Sequence, residues 1–403
     1  MNFLIDLLTF DLRALAAVAL AAWVYLCWAR AGFWRADVWL TPEPAPAGTD
    51  GPMPAVAVII PARNEAETIS RTLHSLTAQD YDGPLDIWVI DDQSTDATGA
   101  LARAASTPQR PVRVIDGTDL PAGWSGKVWA QSQGIAALAA AGQAPTYVLL
   151  TDADIAYRQG VVAKMVRKAE ARALTFVSLM ARLDARGLWG HLLVPAFIYF
   201  FQLIYPFKRA NTLYDPMAGA AGGCFLIRRD ALEAAGGMQA IKGDIIDDCA
   251  LAGVLKRARP AQATLTALTH DVRSLRDNRS LTSIWNMVAR TAFTQLRHSW
   301  LALCGAIAGL VLVFVIPAWA AAAWLVGAAT AATGLMGLAA VALMVRTYRP
   351  TVKLYGLKAW WALTLPVAAM VYAGATVTSA IRHARGTGAR WKGRSYAAGS
   401  RAQ

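Results

Sequence analysis

The stretch AVAVIIPARNE, residues 55–65, decides the predicted fold. Its first six residues are apolar and rich in β-branched side chains, which is typical of a strand buried on both faces of a parallel sheet. Residues 67–78 then have helical spacing, and LDIWVI at 85–90 predicts a second strand. Further strands are predicted at 112–115 and 147–150. Because strands and helices alternate, the sequence indicates an α/β fold with an open sheet.

Acidic residues follow two of these predicted strands. Asp91 and Asp92 come after the second strand, and Asp152 and Asp154 come after YVLL at 147–150. Open α/β sheets bind ligands beyond the carboxyl ends of their strands, where these side chains fall. Two carboxylates at alternate positions are able to hold one Mg²⁺ or Mn²⁺ whose coordination shell is completed by phosphate oxygens. The alternative is that the aspartates only fill turns or cap helices.

Two further segments carry groups suited to phosphate and proton chemistry. GWSGK, residues 123–127, combines glycines that allow close backbone approach with the point charge of Lys127, as a diphosphate needs. A plain surface loop is the alternative. GDIIDD, residues 243–248, places Asp247 and Asp248 before an apolar helix. One of these acids is expected to cap the helix, and the other is free to act as a base.

The composition indicates that much of the chain lies outside water. Of the 403 residues, 56% are apolar and only 16% are charged, whereas a soluble globular protein has about 25% charged residues. The net charge is +12. Many basic residues flank apolar runs, so a positive-inside membrane protein explains this charge better than a nucleic acid partner does. The 4 cysteines form no CxxC pair, which argues against a zinc site or a disulfide scaffold.

Long apolar runs stand at both ends of the chain. Residues 14–29, extended by Leu12 and by 32–34, predict an uncleaved anchor rather than a signal peptide, because no basic region precedes them. Residues 299–345 contain no charged side chain. Since one span needs about 20 residues, they predict two helices with a turn near 317–323. Residues 359–381 are a third C-terminal candidate, interrupted by Pro366.

These runs divide the chain into predicted regions. The regions are an N-terminal membrane anchor at 1–39, a cytosolic domain at 40–298, C-terminal membrane helices at 299–382 and a basic tail at 383–403. Proline and glycine make an extended linker into the domain, at positions 42, 44, 46, 48, 51, 52 and 54. Within the domain, residues 187–207 are uncharged and aromatic, which favours an interfacial helix at the bilayer surface, or a buried hairpin, over a span.

Taken in order, the motifs resemble those of family-2 glycosyltransferases with the GT-A fold, over roughly residues 55–299. VIIPARNE and VIDDQSTDAT resemble the nucleotide-binding opening of that family, GKVWAQSQG its lysine-containing helix start, and LLTDADI its metal motif. GGCFLIRRDALEAAGG followed by DDCALAGVLKRA resembles its acceptor-side segment. GWSGKVWA, FIYFFQLIYPF, AGGCFLIRR and IWNMVARTAFTQLRHS are most similar to the membrane-bound, hopene-associated branch.

The resemblance implies a role for each matching residue. The nucleotide-sugar-binding residues that it implies are Pro61, Arg63, Glu65, Asp91, Asp92, Lys127, Asp152 and Arg290. Asp154, together with Asp152, is expected to bind the metal ion. The catalytic base is expected to be Asp248, preceded by Asp247. The usual pair in the family is Glu-Asp, so the Asp-Asp pair leaves the choice between these two acids open.

The activity implied by the resemblance is transfer of one hexosyl group from a nucleotide-diphospho-sugar, with a UDP-sugar as the family default, to a membrane lipid such as a hopanoid. The reaction would be a metal-dependent inverting displacement at the inner (cytoplasmic) membrane of a bacterium. The chain has no Q-x-x-R-W motif, which argues against a processive polysaccharide synthase. A sugar nucleotidyltransferase would need a glycine-rich, basic loop where PARNE stands. A non-catalytic membrane scaffold remains the other alternative, and it predicts that Asp154 and Asp248 are dispensable.

Overall fold

The computed structural model describes residues 2–44 and 52–387, with side chains from residue 12 onward, and the backbone of 390–391 and 394–395. The chain divides into two compact units. The helical unit comprises Met1–Ala36, Ala185–Pro206 and Asn278–Arg385, and the sheet unit comprises Asp37–Asp184, Phe207–Asp277 and Gly386–Gln403. Linker positions 46, 48 and 51, and most of the predicted basic tail, lie outside the described residues.

The sheet unit is built on one large mixed sheet. The strands of the chain are β1 (Val56–Ala62), β2 (Leu85–Asp91), β3 (Val112–Asp116), β4 (Tyr147–Thr151), β5 (Ile155–Tyr157), β6 (Leu174–Arg182), β7 (Cys224–Arg228), β8 (Ala263–Ser274), β9 (Arg390–Trp391) and β10 (Arg394–Ser395). The first eight form a sheet of order β3-β2-β1-β4-β7-β6-β8-β5. β1 pairs in parallel with β2 and β4, whereas β7 is antiparallel to β4 and β6. The predicted α/β fold and its first four predicted strands are confirmed.

Helices cover the sheet and make up the helical unit. They are α1 (Asn2–Trp28), α2 (Ile69–Thr77), α3 (Thr98–Ala104), α4 (Gly126–Ala140), α5 (Val161–Ala171), α6 (Gly187–Ile204), α7 (Phe207–Ala210), α8 (Arg229–Ala234), α9 (Asp247–Ala258), α10 (Leu281–Gln295), α11 (Trp300–Leu310), α12 (Ile316–Leu325), α13 (Ala331–Leu354) and α14 (Leu365–Ala384).

Alternate residues of β1 enter two separate apolar cores. Val58 packs on one face of the sheet with a core that includes Leu73 of α2. Ile59 packs on the other face with a core that includes Val128 of α4 and Leu251 of α9. Burial on both faces is the reason why residues 55–60 are continuously apolar. The same packing fixes the first residues of α4 and α9 relative to the strand ends.

The helical unit contains four helices that are long and apolar enough to cross a membrane, among the residues described. They are Gly187–Ile204, Trp300–Leu325, Ala331–Leu354 and Ala359–Ala384. Leu12–Trp28 is a shorter apolar helix. The last span starts with a short 3₁₀ segment, and Pro366 stands in the first turn of α14 rather than interrupting it. This position suits proline, because the first N–H groups of a helix have no partner within the helix.

The predicted turn between the two C-terminal apolar helices is wrong in its position. We predicted it near 317–323, but the first span runs to Leu325 and the second begins at Ala331. Pro317 starts α12 after a π-helical segment at Val311–Val315. The turn instead uses Gly327, whose φ is 75°, and Thr330, whose side chain caps the next helix by accepting a hydrogen bond from the Thr333 N–H. Glycine with positive φ ends helices readily, whereas proline is tolerated in a first turn.

Two other predicted segments also differ in detail. α1 ends at Trp28 and does not continue to 32–34, because Gly32 takes a left-handed conformation with a φ of 59°. The indole N–H of Trp34 then donates to the Cys27 carbonyl near the end of that helix, at 3.0 Å. Residues 187–204 form one continuous helix, so the hairpin alternative for this segment is wrong. Its interfacial position stays a prediction.

Candidate active site

The carboxyl ends of β1, β2 and β4 bring the predicted acidic residues to one edge of the sheet. The parallel register pairs Ala62 of β1 with Asp91 of β2. Asp152 and Asp154 directly follow β4, which is the other parallel neighbour of β1. Loops at this edge of an open α/β sheet form its ligand-binding crevice.

The loops after β1 and β2 are joined into one platform. The Arg63 guanidinium donates to the Asp92 carbonyl and lies 3.6 Å from its carboxylate, which is fully buried. Asn64 adopts a left-handed conformation, with a φ of 51°, and its side-chain oxygen accepts a hydrogen bond from the Thr95 N–H at 2.8 Å. The Glu65 N–H donates to the Thr98 hydroxyl, also at 2.8 Å. Pro61 pairs with Ile90 in the sheet and Arg63 contacts Asp92, whereas the main chain of Glu65 is bonded to Thr98. Their shared role in nucleotide binding stays a prediction.

Lys127 connects two acidic segments that are far apart in the sequence. As the second residue of α4, it places its Nζ 2.8 Å from Asp152 Oδ1 and 3.0 Å from Asp247 Oδ2. Nζ also lies 3.4 Å from the Gly222 carbonyl oxygen. Burial by itself would lower the pKa of Lys127, but the carboxylates of Asp152 and Asp247 outweigh that effect and raise the pKa. The ammonium group therefore keeps its positive charge in the middle of the site.

Asp248 is half-buried beside this charge cluster. Burial and the neighbouring carboxylate of Asp247 raise the pKa of Asp248 to about 7, against a smaller lowering effect of Lys127. Its Oδ1 accepts the Cys249 N–H at 2.7 Å. A methyl group on Gly222 would lie 3.0 Å from Asp248 Oδ2. The absence of a side chain at Gly222 thus leaves room for the carboxylate.

The prediction that one acid of this pair caps α9 is wrong. The capping position is Ile246, and both acids lie in the first helical turn, where negative charge interacts favourably with the helix dipole. Asp247 is drawn instead to Lys127, at 3.0 Å. The carboxylate that we expected to cap α9 forms an ion pair with Lys127 instead.

Arg276 is a charged residue of this site that the sequence analysis missed. Its Nε lies 3.0 Å from Asp154 Oδ2. Burial would lower the pKa of Arg276, but Asp154, Asp152 and Glu65 outweigh that effect and raise it. The available signal was the regular spacing of arginines at 273, 276 and 279, at and just after the end of β8.

The acidic residues after β4 are suited to hold a divalent cation whose remaining coordination positions are filled by a bound ligand. Within the described part of the chain, no group of three or more His, Cys, Asp or Glu side chains forms a metal cluster. Mg²⁺, however, is commonly held by one or two carboxylates, with substrate phosphates and water completing its shell. Asp152 and Asp154 offer such a pair of oxygen donors, and each now faces a cationic side chain.

Arg290, the remaining predicted site residue, lies on α10 in the helical unit. The other predicted residues belong to the sheet unit. The contact of Arg290 with a phosphate stays a prediction.

Comparisons with known proteins show what this part of the chain is similar to. Residues 57–236 match the family model described as "Glycosyl transferase family 2". A 4,4'-diaponeurosporenoate glycosyltransferase from Staphylococcus aureus (strain USA300) is 42% identical over 81 residues, which is 20% of this chain and 20% of that protein. The chain thus matches about a fifth of the length of this curated relative. Residues 57–236, which are less than half of the chain, are thus similar to family-2 glycosyltransferases.

A solved structure has a similar fold over most of the chain. It is a mannosyltransferase from Pyrobaculum calidifontis in complex with GDP-Man and Mn²⁺, and it matches with a TM-score of 0.54 at 20% sequence identity. The match covers 89% of this chain and 98% of that one. The mixed α/β sheet with its apolar helices is therefore a GT-A-like fold.

Proposed function

We propose that this chain is a membrane glycosyltransferase that transfers one hexosyl group from a nucleotide-diphospho-sugar to a lipid acceptor, with inversion at the anomeric carbon. The observation that carries the proposal is the cluster of Lys127, Asp152, Asp247 and Asp248. One lysine joins the acids after a central strand to the acids that begin a helix. In such a cluster, a positive charge that is able to bind a diphosphate lies next to a carboxylate whose pKa is raised.

The donor would bind across the strand ends. Pro61, Arg63, Glu65 and the Asp91–Asp92 pair would hold the nucleoside, and Lys127 would lie near the diphosphate. The joined loops around Arg63 and Asp92 support this assignment, because a rigid platform recognises a base with little loss of conformational entropy. A UDP-sugar is the first donor to test.

Asp152 and Asp154 would hold a Mg²⁺ or Mn²⁺ ion together with the donor phosphates. When bound, that ion would supply charge neutralisation for the departing nucleoside diphosphate. The residues of the chain would do the rest: Lys127 would share the phosphate charge, and the helix start at Gly126 would offer N–H groups toward it.

Asp248 is the better candidate for the base than Asp247. Asp247 is buried and its carboxylate contacts Lys127, whereas no ion pair of 4 Å or less is found for the side chain of Asp248 among the described residues. Asp248 would take the proton of an acceptor hydroxyl as that oxygen bonds to the anomeric carbon and the bond to the diphosphate breaks. General-base help of this kind contributes about 10²- to 10⁴-fold to the rate.

A lipid acceptor is supported by the apolar helices that the same chain carries. The relative from Staphylococcus aureus, a 4,4'-diaponeurosporenoate glycosyltransferase, also supports a lipid-type acceptor. The resemblance to the hopene-associated branch makes a hopanoid the other class to test. The basic residues in the C-terminal turns of the second C-terminal span and just after it favour a bacterial inner membrane with the sheet unit in the cytoplasm; they are Arg346, Arg349, Lys353 and Lys358.

The proposal is tested with purified full-length protein in detergent. A panel of nucleotide sugars is assayed for binding and slow hydrolysis with Mg²⁺ or Mn²⁺, beside Asp154→Ala. Asp230→Ala is the matched control, because Asp230 also pairs with arginines but lies on a half-exposed surface. We expect one donor to bind in a metal-dependent way, with loss in Asp154→Ala only. No binding of any donor by a folded sample would contradict the proposal and favour the scaffold alternative.

A further inference from the structure

We propose that Arg276 competes with the divalent cation for Asp154: its guanidinium holds this carboxylate until cation and nucleoside diphosphate bind, and it then contacts the diphosphate. This inference rests on the proposed function, because it concerns the donor side of the same site. Neither the sequence motifs nor the matched family segment, which ends at 236, includes Arg276.

The register of the sheet delivers Arg276 to Asp154. Ile155 of β5 pairs with Ser274 of β8 in antiparallel register. One residue further along, the Leu275 N–H donates to the Asp154 carbonyl at 2.7 Å. The N–H of Arg276 itself donates to Ser274 Oγ at 3.2 Å. Since the main chain is held on both sides of the ion pair, the pairing follows from the sheet rather than from a chance surface contact.

The two partners differ in their access to water. The side chain of Asp154 is only 8% exposed, whereas that of Arg276 is 38% exposed. A buried carboxylate needs a compensating positive charge. Arg276 supplies that charge from the more exposed side, and a divalent cation on Asp154 would supply it as well. Because Arg276 holds Oδ2 of this carboxylate, a cation that takes Oδ2 displaces the guanidinium.

The local balance of charge gives the released guanidinium a new partner. Lys127 already faces Asp152 and Asp247, whereas Arg276 faces Asp154. A nucleoside diphosphate bound with its cation would bring phosphate oxygens to this edge. The planar guanidinium fork matches phosphate oxygens, and its charge does not depend on pH in the physiological range.

This arrangement predicts opposite effects of one substitution on two ligands. Arg276→Ala removes the guanidinium from Asp154 Oδ2 and with it a positive charge, so Mn²⁺ alone should bind about tenfold more tightly than to the wild type. With saturating Mn²⁺, the same variant should bind UDP or GDP about tenfold more weakly, because a charged donor to phosphate is lost. A residue with a merely structural role would weaken both.

The experiment titrates full-length protein in detergent with Mn²⁺ alone, and then with UDP and GDP at saturating Mn²⁺. Arg273→Ala is the matched control, because Arg273 lies three residues earlier, near the end of β8, and is exposed. Asp154→Ala shows whether the titrated Mn²⁺ site is the one intended. Arg276→Gln removes the charge but keeps a polar, partly aliphatic side chain, and it replaces Arg276→Ala in the test if that variant does not fold.

Tighter Mn²⁺ binding and weaker diphosphate binding in the Arg276 variants, with Arg273→Ala unchanged, would support the inference. Unchanged Mn²⁺ affinity in Arg276→Ala and Arg276→Gln would overturn it, as would an equal gain in Arg273→Ala, which would show a general charge effect. Wild-type Mn²⁺ binding by Asp154→Ala would instead contradict the metal residues of the proposed function. The two failures are therefore distinguishable.

Discussion

Lys127, the second residue of α4, lies 3.0 Å from Asp247, the first residue of α9, although 120 positions separate them in the chain. The pair joins the phosphate side of the proposed site to its base side. A change in the charge of Lys127 therefore changes the pKa of Asp248 as well.

The pH dependence of transfer should report the titration of Asp248. Its pKa is raised to about 7 by burial and by Asp247, and a general base acts only when it is deprotonated. We expect kcat/KM to rise with pH through a midpoint near 7 and then to level off. Rates measured from pH 5 to 9 with saturating metal check this. A flat profile over that range would exclude Asp248 as the titrating base.

Replacement of Lys127 should weaken donor binding and shift the pH profile together. Lys127→Met removes charge next to the proposed diphosphate, and we expect the affinity for nucleoside diphosphate to fall by about 10- to 100-fold. Lys127 also lowers the pKa of Asp248, so the acid limb of the profile should move to higher pH.

Lys164→Met is the control for this variant, because Lys164 forms an ion pair with Asp271 at 2.6 Å elsewhere in the sheet unit. We expect it to leave both readouts unchanged. Weaker donor binding with an unshifted profile would contradict the electrostatic link between Lys127 and Asp248.

Gly222→Ala should slow the reaction more than it weakens donor binding. The new methyl group would stand 3.0 Å from Asp248 Oδ2, which forces the carboxylate to move. A small misplacement of a reacting group is costly, so we expect kcat to fall by about tenfold. In the control Gly253→Ala, on α9 itself, the methyl group meets only the end of the Arg257 side chain, at 3.3 Å. Equal kcat values in the two variants would argue against a tight fit at Gly222.

The stability of the protein should also depend on Asp248, with a definite sign. The ordinary pKa of 3.8 is raised to about 7 in the folded protein. Between these values the folded state holds a proton that the unfolded chain has lost, so stability falls as pH rises through this window. Asp248→Asn removes the buried charge, and we expect it to raise the free energy of unfolding by about 2 kcal/mol at pH 8.

Thermal unfolding followed by tryptophan fluorescence at pH 5 and pH 8 measures this effect. The gain in Asp248→Asn should be larger at pH 8. Asp230→Asn, which changes an acid on a half-exposed surface, should show no such gain. A gain of the same size at both pH values would rule out the raised pKa as its cause.

Local sequence patterns predicted the strands of the sheet well, because a strand that is buried on both faces is apolar at several consecutive residues. Residues 55–60 are apolar since Val58 and Ile59 enter different cores. Asp91 and Asp152 were placed at one edge because parallel strands point their carboxyl ends the same way. These inferences need only the period of a strand and its direction.

Contacts between distant segments were not predictable in this way. The cap assignment at Asp247 failed because Lys127, far away in the chain, binds that carboxylate. Arg276 was missed because its partner depends on the antiparallel register of β5 and β8. The turn at Gly327 was misplaced because Pro317 is tolerated in the first turn of a helix. Each of these three predictions failed because the neighbouring residues alone do not determine the structure at that position.

The most direct test of the central claim is transfer of a labelled sugar from the donor to lipids of a membrane extract, by wild type, Asp248→Asn and Asp244→Asn. Asp244 is the control, because burial and Asp247 also raise its pKa, to about 6, yet it is assigned no role in transfer. We predict that Asp248→Asn binds nucleotide like the wild type and loses transfer by about 10²- to 10⁴-fold, while Asp244→Asn retains most of it. Transfer at the wild-type rate by a folded, nucleotide-binding Asp248→Asn protein would contradict the account.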